Sequence, residues 1–127
     1  MRFLTAGLLA SLIAWIGNRL LANRSGTRLV TILVPLWEEM LKTGSAFLLG
    51  APIFWTHAVF GMVEAINDLL HSPKGIVAGL AGLGGHMLFG YLTTTVYLVT
   101  GSSVAGLLTG MAAHMGWNLL VVKFADT

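Results

Sequence analysis

A chain of 127 residues with 56% hydrophobic and only 9% charged residues, a mean hydropathy of +0.83 and a formal net charge of +2 falls well short of the roughly 25% charged residues of a soluble domain. Composition and length imply an integral membrane protein with a single transmembrane domain over 1–127. The absence of cysteine excludes disulfides and thiolate metal sites, and scattered Lys and Arg with no basic tract or aromatic-basic interleaving point to no nucleic-acid partner.

Five apolar segments are long enough to cross a bilayer, which needs about 20 residues each. The expected fold class is all-α, a polytopic transmembrane helical bundle of about five spanning helices. The first segment runs from Phe3 to Ala22. Arg2 followed by an apolar stretch also resembles a signal peptide, but no small-residue cleavage site follows. Asn18 and Arg19 interrupt its end, and Arg19 can snorkel to the interface. The second segment, Arg28 to Leu49, contains the stretch Trp37-Glu38-Glu39-Met40-Leu41-Lys42. The third starts near Pro52, a residue suited to the first turn of a helix, and ends near Leu70. It carries His57, expected at the outer interface, and Glu64, with Asn67 and Asp68 on the same face. The segment 71–75, with Pro73 and Gly75, is a loop. The fourth segment, Ile76 to Val99, carries His86. Residues 100–103 turn the chain, and the fifth segment, Val104 to Val122, carries His114 and Asn118. Small residues four apart (Gly75 and Gly79, Ala81 and Gly85, Gly106 and Gly110) permit close helix contact.

The basic residues set an orientation. Arg19, Arg24 and Arg28 lie between the first two segments, Lys74 between the third and fourth, and Lys123 after the fifth. Five spans put all of them on one side, with only Arg2 opposed. The positive-inside rule then places the N-terminus outside and the C-terminus in the cytoplasm.

The polar residues share a depth. Glu38 and Glu39 lie about ten residues into their segment, and Glu64, His86 and His114 about twelve into theirs. At 1.5 Å per residue these are depths of about 15–18 Å, near the centre of a hydrocarbon layer about 30 Å thick. Each ionisable group there costs on the order of 3 kcal/mol. Taken singly, Glu38, Glu39 and Lys42 could be a buried ion pair, and each histidine an interhelical hydrogen bond. Four segments bearing that cost at one level point instead to a polar, hydrated site inside the bundle. Lys42 lies at i+4 from Glu38 and i+3 from Glu39, so it can orient either carboxylate. His114 and Asn118 share a face.

The set lacks a nucleophile with a base, and the glycine-rich stretch 75–85 lacks the ending of a phosphate loop. What remains is water activation. A carboxylate can serve as general base, and a His–Asn pair can donate to a developing oxyanion. Alternatively, Glu64, His86 and His114 could bind zinc with water in the open position. Both routes hydrolyse an amide within the bilayer, and the residues do not choose between zinc and no metal.

The motifs EEMLK (38–42), FGMVE (60–64), HMLFG (86–90) and HMGWN (114–118), in this order on four successive segments, resemble those of the PrsW family of bacterial intramembrane proteases, relatives of the CAAX prenyl proteases and the abortive-infection (CPBP) proteases. The resemblance covers roughly residues 30–122. It implies a catalytic set of Glu38, Glu39, Glu64, His86, His114 and Asn118. Glu38 would be the base, Lys42 the orienting cation, Glu64 and His86 the water-positioning pair, and His114 with Asn118 the oxyanion site. It implies a membrane-embedded peptide or protein substrate in a prokaryotic inner membrane. The chain is shorter than most such proteins, which leaves two alternatives: a minimal catalytic core, or a site completed by a partner or a homo-oligomer. Two other readings use the same residues: a proton- or ion-conducting bundle, and a non-catalytic module that holds a helix or lipid in the polar cleft. A relay has no use for an asparagine one turn from His114, whereas an oxyanion site does.

Overall fold

The computed structural model describes the backbone of residues 1–24 and 27–125, and the side chains of residues 1–21 and 31–121. The side chains of Arg24, Arg28 and Lys123, on which part of the orientation rests, lie outside the described residues. Five helices follow in chain order: α1 (Arg2–Arg24), α2 (Thr27–Leu49), α3 (Ile53–His71), α4 (Gly75–Thr100) and α5 (Ser103–Ala125). Each matches an apolar segment of the sequence to within a few residues. The turns fall where the small residues predict. Gly50 and Gly101 adopt φ of 57° and 68°, a left-handed conformation that costs glycine little and other residues more. At Gly101 it closes the end of α4, with the backbone N–H donating to the Tyr97 carbonyl.

In order of contact, α1, α2, α5, α4 and α3 form a closed circuit, and α2 also touches α3 across it. The α3–α4 contact is the most extensive. It is close because glycines line it: a Cβ on Gly61 would stand 2.9 Å from the His86 Cβ, and one on Gly90 2.6 Å from the His57 Cβ. Helix α1 turns a stripe of small buried residues inward, Ala6, Ala10 and Ala14, and is tied to α2 by the Ser45 hydroxyl, which donates to the Ala6 carbonyl at 3.2 Å.

The distribution of polarity is inverted relative to a soluble protein. Glu39 and Lys42 are 0% exposed, whereas Leu48 and Val99 are 87% and 80% exposed. A surface so apolar needs lipid to cover it, and the hydroxyls of buried Ser11 and of half-buried Thr94 and Thr109 donate to carbonyls one turn back in their own helices. The protein is a membrane protein. Among the described residues, Arg2–Leu21, Gly75–Thr100 and Ser103–Val121 are long and apolar enough to cross a bilayer by composition. The charges that α2 and α3 carry, Glu38, Glu39 and Lys42 on one and Glu64 and Asp68 on the other, lower their average hydropathy.

Candidate active site

The two adjacent glutamates of α2 diverge, because neighbours on a helix point about 100° apart. Glu39 turns into the centre of the bundle. Its Oε1 accepts from the Lys42 ammonium at 2.6 Å and from His114 Nδ1 at 2.9 Å. Lys42 also donates to His86 Nδ1 at 3.0 Å and stands 4.5 Å from the centre of the Phe60 ring. The cation is thus shared between a carboxylate, an imidazole and an aromatic face, which replaces much of the hydration it lost. Of the two carboxylates within helical reach, Lys42 pairs with Glu39.

Glu38 turns the other way. It accepts from the Asn18 amide of α1 at 2.6 Å, and its Oε2 lies 3.8 Å from His114 Nε2. It lines a cavity of about 300 Å³ together with Asn18, Glu64, His86, His114 and Asn118. Neither Glu39 nor Lys42 reaches that cavity wall.

Partners fix the ring tautomers. Because Lys42 can only donate, His86 Nδ1 accepts, so Nε2–H donates to Glu64 at 2.5 Å. Glu64 is more open than the other charged and imidazole groups of the site, its side chain 38% exposed. His114 Nδ1–H donates to Glu39, which leaves Nε2 facing Glu38. The rings of His86 and His114 meet edge-on at 5.1 Å, and Phe89 stacks on His114 at 4.6 Å. All six expected catalytic residues and Lys42 therefore fall in one connected cluster: five line the cavity or its mouth, and Glu39 and Lys42 brace it from behind.

Two participants escape the sequence reading. His57 is not interfacial. It is fully buried, with Nδ1 3.7 Å from Glu39 Oε2 and Nε2 3.5 Å from the Thr43 hydroxyl. Its spacing from Glu64, i to i+7 on one helix, was the available signal that both share the inner face. Asn18 reads as an interruption near the end of the first segment, and no local spacing links it to Glu38, twenty residues on. Behind Glu39, the buried atoms Glu39 Oε2, His57 Nδ1 and Thr93 Oγ1 have no hydrogen-bond partner. A Cβ on Gly110 would collide with the Thr93 hydroxyl and approach Glu39 Oε2 to 3.0 Å.

The donor set also tests a metal. The residues whose ligand atoms gather within 4.8 Å of one another are Glu38, His86 and His114, so Glu38 takes the place expected for Glu64. The fit is poor. His86 accepts an ammonium on one nitrogen and donates from the other, so it has no free lone pair for a metal ion, and the Lys42 charge stands beside it.

The family model for type II CAAX prenyl endopeptidases, Rce1-like, matches residues 22–120. No curated protein matches the chain, and no solved structure does.

Proposed function

The chain belongs to the Rce1-like family of type II CAAX prenyl endopeptidases, and from that membership we propose that it is an intramembrane endopeptidase that hydrolyses a peptide bond of a membrane-bound substrate with a water activated by Glu38. The observation that supports this reading is a polar cavity of about 300 Å³, roomy enough for water, inside an apolar bundle and walled by a carboxylate on α2, a carboxylate on α3, and histidines on α4 and α5. Glu38 takes a proton from water, and the oxygen attacks the scissile carbonyl carbon. The negative charge then forms on the carbonyl oxygen, where Asn118 and a protonated His114 Nε2 donate hydrogen bonds. Collapse expels the amine, which carries away the proton held by Glu38. Glu64, held in place by the His86 Nε2–H, positions the water at the opposite wall. Glu39 orients His114 and neutralises Lys42, and Lys42 fixes the His86 tautomer.

Within the family the EExxK, FxxxE and HxxWN motifs favour a PrsW-like branch, with Lys42 as the distinguishing residue. In the proposed topology the N-terminus faces out and the C-terminus faces the cytoplasm of an inner membrane. The purified protein in proteoliposomes is expected to cleave a membrane-embedded peptide. Glu38→Gln or His114→Ala is expected to abolish cleavage while circular dichroism stays unchanged, and undiminished cleavage by both variants refutes the mechanism. The hydrogen-bonded run Asn18–Glu38 and His114–Glu39–Lys42–His86–Glu64 is also what a proton relay needs. Acid-driven dye quenching in liposomes that Glu64→Gln removes would favour that second reading.

A further inference from the structure

Helix α1 carries Asn18 before residue 22, where the family match begins, yet Asn18 lies against the carboxylate assigned as base. We propose that Asn18 is a positioning residue: α1 supplies the clamp that holds Glu38 in the orientation from which it deprotonates water. The inference rests on the endopeptidase reading and deepens it.

Three observations carry it. The Asn18 amide donates to Glu38 Oε1 at 2.6 Å, a short bond to a charged acceptor. Lys42, the cation nearest in sequence, is committed to Glu39, so the direct hydrogen bond that fixes Glu38 comes from α1. Finally, the approach of the two helices is built for this contact. Gly17 lies beneath the Trp37 indole, and a Cβ there would collide with the ring Nε1. The bare backbone at Gly17 lets Trp37 close over α1, and the residues that follow each of them, Asn18 and Glu38, meet. Asn18 Oδ1 is buried without a protein partner and stands where the catalytic cavity meets a groove of about 420 Å³ between α1 and α3. That groove is walled by Leu8, Leu12, Trp15 and Phe60 and shares Asn18 and Glu64 with the cavity. The amide therefore donates to Glu38 from the wall that the cavity and the groove have in common.

The test has two readouts on the full chain in proteoliposomes. In the first, Asn18→Leu, of similar volume but without the amide, is expected to lower kcat for a membrane-embedded peptide by about 10- to 100-fold, the scale of a hydrogen bond to a charged group. KM should move less than about twofold, since Glu38 rather than the substrate loses its partner. Gly17→Leu keeps Asn18 but moves α1 away, and is expected to reproduce the loss. In the second, a hydrophobic carbodiimide labels Glu38, read by mass spectrometry. Labelling is expected to accelerate severalfold in both variants, because the amide no longer covers Oε1. Thermal unfolding in detergent identifies a variant that has simply lost its fold, and Asn18→Ser, which keeps a small donor, is expected to recover part of kcat. Unchanged labelling and unchanged kcat in Asn18→Leu overturn the clamp while leaving the protease reading intact. Faster labelling in a protein whose wild type cleaves nothing keeps the clamp and removes the protease reading.

Discussion

Glu38 and Glu39 are chemically identical neighbours that their surroundings divide. Glu39 is fully buried against Lys42, His57 and His114, so its charge is part of what holds α2, α3 and α5 together. Glu38 faces a cavity and a neutral amide. Neutralising each should therefore have different consequences. Glu38→Gln is expected to remove cleavage and leave the unfolding midpoint in detergent nearly unchanged. Glu39→Gln strands Lys42 in the core and is expected to lower stability by about 3–5 kcal/mol, as when one partner of a buried ion pair is removed. Lys42→Met strands Glu39 and should cost a similar amount, measured by the same thermal scan. Equal midpoints for all three variants would show that the pair contributes nothing. The tautomer of His86 leads to a further expectation. With both ring nitrogens committed to Lys42 and Glu64, cleavage is expected to survive EDTA and 1,10-phenanthroline, and metal analysis of purified protein to find less than one ion per chain. Inhibition by chelators that added zinc reverses would overturn this accounting.

Among elements, the site depends on how near α4 comes to α3 and α5. Gly61 touches the base of His86, and Gly110 touches Thr93 beside Glu39, so each glycine sets the position of a polar side chain rather than merely allowing contact. Gly61→Val is expected to push His86 away from Glu64, with a loss of stability of about 1–3 kcal/mol from overpacking and a larger proportional loss of cleavage. An activity assay and a thermal scan on the same sample separate the two effects. Much of this architecture is legible in the sequence. The five helices, their turns at Gly50 and Gly101, and the convergence of Glu38, Glu64, His86 and His114 follow from apolar length and shared depth. What is not legible depends on rotation of one helix against another. Lys42 could reach Glu38 or Glu39 by spacing alone, and the packing of α3, α4 and α5 around the pair, through His57, Phe60, His86 and His114, goes with Glu39. Depth along α3 alone puts His57 at the interface, although its position on the inner face, two turns from Glu64, buries it. Asn18 has no local partner at all. Its role exists only because Gly17 and Trp37 bring α1 onto α2.

For the whole molecule, the apolar exterior and the polar interior are two sides of one arrangement: a closed circuit of helices with an apolar outer face and a polar-lined cavity at its centre. The arrangement has a topological consequence. If all five helices cross the bilayer, the turns at 71–75 and 100–103 must emerge on opposite sides, and the positive-inside rule assigns the first, with Lys74, to the cytoplasm. The chain contains no cysteine, so single substitutions report position without background. Ser72→Cys and Ser102→Cys, both in turns between helices, are expected to react with a membrane-impermeant maleimide from opposite faces. In right-side-out cells or spheroplasts Ser102→Cys should label at once, and Ser72→Cys only after the membrane is opened. The reverse pattern would invert the orientation but keep five spans. Labelling of both from one face would mean that α4, the longest of the five helices, does not span, and the shared depth that gathers Glu38, Glu64, His86 and His114 would lose its physical basis.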